Sequence, residues 1–456
     1  MAQRGELAIV LHTHMPYVEG FGTWPFGEEW LWEAIATSYL PLLDVVGRAP
    51  ITLSLTPVLC DQLEAPGAIE RCLEFLTEIR PESHQRDLAG FREKGEHAFA
   101  IELERSAAEY AAAARRLAAL PGGGLLEALG RHASWTSAAT HAVLPMLASD
   151  AGTALQVQTG VASHRRRFGD WRGGFWLPEC GYAPWLDVVL EDSGVRAACV
   201  ELTAALGLGD RRHLHPVRTE AGPVLWPIDR EVISLVWSDG GYPASPAYRN
   251  YHALTSHHHR VWRNDGRPYD PGAACALAAE HAREFVSRVR DRVRDGGVCV
   301  CALDTELLGH WWYEGITWLG AVVDEAAHQR LELTTLDDAL ARYEPGPLPP
   351  GFTGSSWGIG GDLRTWSGPQ VGNLPWLARS AELRALAGGV RPGERALREL
   401  LALQSSDWAF LASRGLAGEY PYGRARGHAT AFARALEHPE TADLALRNLA
   451  PQLAGW

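Results

Sequence analysis

The sequence predicts an α/β fold, with β/α units closing into a barrel or an open parallel sheet and a helical part at the C-terminal end. Three observations predict it. Short apolar runs recur with helical patterns between them. Most of these runs end where ionisable residues begin. Beyond a Pro/Gly-rich stretch only helical patterns remain.

The runs come in order along the chain. Leu7–Leu11 leads into His12-Thr-His14, and Ile51–Leu55 follows. Gly174–Leu177 leads to Glu179, Ala197–Leu202 contains Glu201, Val232–Trp237 precedes Asp239, and Val298–Leu303 ends at Asp304. Continuous apolar runs of this length fit strands buried on both faces. Cys299 and Cys301 alternate within the last run, so both point to one face. Active sites of parallel β/α folds sit at the C-terminal ends of strands, where these ionisable residues fall.

Between Asp61 and Leu120 the pattern turns helical and charged, with an alanine-rich stretch from Ala107 to Ala119, and Pro121-Gly-Gly-Gly124 breaks it. This reads as a helical insertion over about 61–130. Glu344-Pro-Gly-Pro-Leu-Pro-Pro-Gly351 is a loop by composition. It divides a catalytic unit, 1–345, from a helical domain, 346–456, with helices expected over Leu377–Leu386, Gly393–Leu411 and Ala429–Leu436.

Composition excludes several function classes. The chain has 456 residues, with 42 Lys+Arg against 55 Asp+Glu and a net charge of −13. Lys94 is the only lysine, and it sits in the charged run Arg92-Glu-Lys-Gly-Glu96. A phosphate-cradling P-loop and a buried amine nucleophile are therefore both missing. The acidic balance and scattered arginines argue against nucleic acid. Seven cysteines without paired metal spacing fit a reducing compartment. The first apolar run, five residues long, is too short for a signal h-region or a membrane span. The expectation is a cytoplasmic protein with no membrane partner.

Two acids stand out. Glu179 follows a short strand and a proline in Phe175-Trp-Leu-Pro-Glu-Cys-Gly-Tyr182, and Asp304 opens Asp304-Thr-Glu-Leu-Leu-Gly-His-Trp-Trp312. A carboxylate at a strand end among aromatic rings is desolvated, which raises its pKa towards acid–base use. Two such carboxylates are the minimal equipment of glycoside chemistry. An isolated acid more often caps a helix or pairs with arginine; the surrounding tryptophans weigh against that here. The chain has 18 tryptophans, and Trp24, Trp30, Trp32, Trp176, Trp185, Trp311, Trp312, Trp357, Trp366 and Trp408 fall near these segments. Sugar rings rest their C–H faces on aromatic faces, although most of these tryptophans, Trp30 and Trp32 among them, read as core. A metal reading competes, because His12 and His14 with Asp304 could hold zinc. The run His257-His258-His259 lies in a polar loop and reads as solvated.

Seven stretches together resemble glycoside hydrolase family 57, most closely its α-1,4-glucan branching members. They are His12–Tyr17, Ser54–Leu59, Ala139–Pro145, Trp176–Tyr182, Leu303–Trp312, Ser355–Gly358 and Gln404–Trp408, in family order over nearly the whole chain. The resemblance implies a distorted (β/α)7 barrel with a helical insertion and a C-terminal all-helical domain closing the cleft. It implies a retaining mechanism on α-glucan without metal or other cofactor. Glu179 matches the nucleophile and Asp304 the general acid/base. His12, His14 and His141 match histidines lining the cleft near the cleaved bond. Trp357, Trp366, Asp407 and Trp408 match glucan-contacting residues of the C-terminal part, and Trp262 a further stacking tryptophan. Tyr242 resembles the tyrosine of a mobile loop that keeps water out. The alternatives within the family are an α-amylase-like hydrolase and a 4-α-glucanotransferase. Two departures stand out: the segment 239–270 is short, and Leu416 stands where the family has glutamine.

Overall fold

The computed structural model describes residues 5–23, 26–121, 124–388, 391–439 and 448–456; Trp24 lies outside them. Ten strands are present among the described residues: β1 (Glu6–Thr13), β2 (Thr52–Leu55), β3 (Ala133–Ser137), β4 (Gly174–Trp176), β5 (Ala197–Val200), β6 (Val217–Arg218), β7 (Val224–Pro227), β8 (Val298–Asp304), β9 (Glu332–Leu333) and β10 (Gly346–Pro347). Seven of them run parallel in the order β7-β5-β4-β3-β2-β1-β8. The two ends approach where the Asp229 N–H donates to the Val300 carbonyl at 2.9 Å. The result is the expected distorted (β/α)7 barrel. β6 pairs antiparallel with β7, and β9 and β10 add short edges.

All eight residues of β1 are buried. This is the condition of a parallel strand covered on both faces, and it is why the run lacks alternation. Helices fill the segment from Pro57 to Gly130, and His97–Ala118 is the longest of them. Helices Asn373–Ala387, Glu394–Leu403, Ser406–Arg414 and Tyr420–Glu437 form a separate core around Trp366, Leu400, Trp408 and Phe432. No helix of the described residues is long and apolar enough to cross a membrane.

Some expectations need correction. Val232–Trp237 is not a strand: helix Arg230–Val236 occupies it, and the Asp229 side chain accepts from the Val232 N–H at its start. The strand is β7, eight residues earlier by its first residue. Asp239 therefore stands at no strand end. Glu201 does follow β5, but it is tied up by the Thr203 N–H (2.6 Å) and the Arg230 guanidinium. Gly393–Leu411 is two helices broken at Gln404-Ser405, and that break reaches the site.

Candidate active site at the barrel mouth

β1 brings His12 and His14 to the same side, because side chains alternate along a strand. The parallel register sets His12 against Asp304 of β8 and against Ser54 of β2. His12 is fully buried and stacks on Trp176 at 4.7 Å. Its Nε2 lies 2.9 Å from His141 Nε2, and its Nδ1 lies 3.4 Å from Ser54 Oγ.

Glu179 and His141 both have left-handed backbones, with φ of 62° and 60°. For residues other than glycine this costs energy, and such strain gathers at functional sites. The surroundings hold both in place. The Trp357 N–H donates to the Glu179 carbonyl at 2.9 Å, and the Ser406 N–H donates to the His141 carbonyl at 3.1 Å.

The Glu179 carboxylate is gripped on both oxygens. Trp357 Nε1–H donates to Oε2 at 2.7 Å, and Ser406 Oγ–H donates to Oε1 at 3.1 Å. Once Ser406 spends its proton on Glu179, His141 Nδ1–H must donate to Ser406 Oγ, 2.8 Å away. His141 Nε2 then accepts from His12 Nε2–H. A single donor direction runs from His12 through His141 and Ser406 to the carboxylate. Burial holds His12 and His141 well below the usual histidine range, and the His14 charge pushes both further down. They act as neutral rings.

His14 is the opposite case. Its Nε2 donates to Asp407 Oδ1 at 2.9 Å. Its Nδ1 faces Thr56 Oγ1 at 3.3 Å, and that hydroxyl already donates to the Thr13 carbonyl. Both ring nitrogens thus face acceptors. Burial works to lower its pKa, but Asp407, with Glu306 and Glu179 behind it, raises it above the usual value. His14 is the positive charge of the site.

Burial drives the carboxyl groups the other way. Glu179 is raised to about 7, chiefly by desolvation and further by Asp407, while Trp357 and Ser406 pull it back. Asp304 is pushed well above the usual range by burial, then by Glu306, Glu179 and Asp407. Among the described residues its carboxyl has no hydrogen-bond partner. Such surroundings favour the protonated form of the group.

The structure thus joins Glu179, Asp304, His12, His14, His141, Trp357 and Asp407 in one cluster. Trp366 and Trp408 lie beside it but are buried in the C-terminal helical core, and Trp408 Nε1 donates to the Ala402 carbonyl at 2.8 Å. They support the loop Gln404–Asp407 and offer no open stacking face. Two further expected residues contact other rings. Tyr242 is buried, with its ring stacked on His281 at 4.2 Å. Trp262 packs against Phe91 and Phe99 of the insertion. Segment 239–270 thus stacks these two rings on His281 and on the insertion.

Sequence reasoning missed Glu306 and Ser406 as site residues, although both stand inside quoted motifs. Glu306 accepts from Tyr39 OH at 2.6 Å and from the His14 N–H at 3.1 Å, and burial raises it to about 7. Its place two residues past Asp304 was the available signal. The metal trio of His12, His14 and Asp304 does not assemble, because His12 turns its Nε2 to His141. His14, His141 and Asp407 bring ligand atoms within 4.8 Å of one another. Those atoms already satisfy each other as donors and acceptors: His14 with Asp407, and both His141 nitrogens with His12 and Ser406.

Comparison with known proteins places this arrangement. The model of glycosyl hydrolase family 57 matches residues 8–349, and that of the 1,4-alpha-glucan branching enzyme C-terminal region matches residues 384–450. A 1,4-alpha-glucan branching enzyme of Thermococcus kodakarensis is 31% identical over 94% of this chain and 73% of its own length. A probable 1,4-alpha-glucan branching enzyme of Mycobacterium tuberculosis is 32% identical over 94% of this chain and 91% of its own. The crystal structure of a family 57-type branching enzyme from Pyrococcus horikoshii superposes with a TM-score of 0.87 at 30% identity, covering 98% of this chain and 94% of that one. From its barrel to its C-terminal helices, the chain belongs to glycosyl hydrolase family 57.

Proposed function

We propose that this chain is a 1,4-α-glucan branching enzyme in which Glu179 is the nucleophile and Asp304 the general acid/base. The observation that carries the assignment is the contrast between two carboxyl groups at the barrel mouth, one buried and clamped by two donors and one half-buried and unclamped. In the first half-reaction Asp304 protonates the leaving glycosidic oxygen while Glu179 attacks the anomeric carbon. Trp357 and Ser406 hold the attacking oxygens in place. Asp304, now ionised, then takes the proton of an incoming 6-hydroxyl, and that oxygen displaces Glu179. The two displacements together retain the anomeric configuration.

His12 and His141, neutral, brace Ser406 behind the nucleophile, and His14–Asp407 fixes their stacked arrangement (His14 and His141 ring centres are 4.1 Å apart). The two loops from the C-terminal part, Ser355–Gly358 and Gln404–Asp407, cover the nucleophile. We read 346–456 as the domain that closes the cleft and 1–345 as the catalytic unit. Excluding water favours transfer, since the covalent intermediate must wait for a sugar. The substrate in this reading is an amylose-, starch- or glycogen-like polymer, handled in the cytoplasm. The seven free cysteines support a reducing compartment.

The test is incubation with amylose, measuring new 1,6-linkages and reducing ends separately. Branching predicts linkages rising ahead of reducing ends. Reducing ends alone would make the chain a hydrolase, and altered chain lengths with neither would make it a 4-α-glucanotransferase.

A further inference from the structure

Three neighbouring strands of the barrel, β4, β5 and β7, each lead to one ionisable residue at their C-terminal ends. β4 leads to Glu179, β5 to Glu201, and β7 to Arg230, the first residue of the helix that follows it. Glu179 is the proposed nucleophile. The other two form an ion pair, in which the Arg230 Nε–H donates to Glu201 Oε2. The Thr203 N–H holds the other oxygen of Glu201 at 2.6 Å.

The pair reaches Glu179 through Trp357. Arg230 Nη2 donates to the Trp357 carbonyl, and among the described residues no other donor does. Trp357 in turn meets Glu179 twice. Its N–H donates to the Glu179 carbonyl at 2.9 Å, and its Nε1–H donates to the carboxylate at 2.7 Å. Trp357 needs an outside hold, because it lies between β10 and the short turn Ile359–Gly361, in no helix or strand. The stretch before it is tied to the barrel at Ser355, which exchanges two backbone hydrogen bonds with Tyr182, at 2.9 and 3.0 Å. Opposite Trp357, Glu179 and Cys180 both have left-handed backbones, with φ of 62° and 49°. Strain of that kind persists only where the surroundings over-determine it. A guanidinium suits the task, since its planar fork fixes two acceptors at once, which a flexible ammonium does not.

We propose that Arg230, anchored by Glu201, is a positioning residue for the nucleophile: it fixes the Trp357 peptide and thereby keeps the indole N–H on the Glu179 carboxylate. The proposal rests on the assignment of Glu179 given above. It gives the strand-end acid of β5 a part in the reaction without contact with the sugar.

Removing Arg230 alone would strand Glu201, whose side chain is 2% exposed, and a stranded buried charge destabilises the fold. The test variant is therefore Arg230→Met combined with Glu201→Gln in the full chain. It is read by kinetics on amylose and by the NMR signal of the Trp357 indole N–H in protein with isotope-labelled tryptophan, identified by its loss in Trp357→Phe. The expected result is a kcat lower by about tenfold, the low end for a hydrogen bond to a charged group, with little change in KM. The acid limb of the pH profile should move upward, and the indole signal should shift and titrate at higher pH. In a Trp357→Phe background the same pair of changes should move the limb no further. Asp407, His14 and His141 also face Glu179, as does Asp304, and none of them is altered. If the double variant does not fold, Arg230→Lys, which keeps a charge beside Glu201 but gives up the fork, should show the same shifts. An unmoved limb and indole signal would overturn the proposal and make the pair structural. An equal further shift in the Trp357→Phe background would also overturn it, because the effect would then be one of charge. Failure of the glucan reading looks different: the wild-type chain would form neither 1,6-linkages nor reducing ends from amylose, while the indole signal would still answer to Arg230.

Discussion

Glu179 and Asp304 sit at the ends of two strands of one barrel, and they are built in opposite ways. Glu179 sits on a strained backbone, with a donor on each carboxylate oxygen and a line of histidines behind one of them. Asp304 ends a regular strand and has burial and neighbouring acids around it, but no donor among the described residues. Hydrogen bonds favour the charged form and fix its direction. Their absence favours the protonated form and lets it turn. A nucleophile needs the first condition, and a group that gives and retakes a proton needs the second. The contrast, more than the presence of two acids, is what supports the proposed roles.

The sharpest way to break the contrast is to change the leaving group. Asp304→Asn should cost about 10²–10⁴-fold in turnover of glucan, the usual scale of acid–base catalysis. Much of that loss should disappear with an aryl glycoside whose leaving group needs no proton. Glu179→Gln should be inactive on both. Equal rescue of the two variants would erase the distinction.

Removing one clamp is the next test. Ser406→Ala should lower kcat by about 10–100-fold, the scale of a hydrogen bond to a charged group. Without that donor Glu179 ionises less readily, so the acid limb of the pH profile, which falls below about pH 7, should move upward. Ser406→Thr should restore it. Trp357→Phe, which removes the other donor, should move the limb the same way. An unmoved limb in both variants would mean the donors do not set the charge of Glu179.

The smallest effect is on stability. The Glu179 pKa is raised from 4.5 to about 7 in the folded chain, so the native state holds a proton that the unfolded state gives up. The cost of its charge is absent below about pH 4.5, grows between 4.5 and 7, and is complete above 7. Glu179→Gln should therefore raise the melting temperature at pH 8 by a few degrees and leave it nearly unchanged at pH 4.5, as seen by calorimetry. A gain that does not depend on pH would point to packing.

Much of this was legible in the sequence. The apolar runs of β1, β2, β4, β5 and β8 announce themselves, because parallel strands are apolar on both faces. β3 does not: Ala133-Ser-Trp-Thr-Ser137 is short and half polar, and only the neighbouring strands make it a strand. Val232–Trp237 misleads because an apolar run of that length fits either element. Asp229, the helix cap in front of it, decides. Glu179 and Asp304 were visible from their motifs. The clamps were not, because Trp357 and Ser406 lie 178 and 227 residues from Glu179 in sequence. Tyr242 and Trp262 were placed by resemblance; the structure packs them on His281 and on Phe91 and Phe99.

The most direct test of the account is to trap the covalent intermediate. The Asp304→Asn chain is given an activated α-maltosyl fluoride, digested, and its peptides weighed. The account predicts a glycosylated peptide whose label maps to Glu179, and products that keep the α configuration. A label on any other residue, or products of inverted configuration, would contradict it.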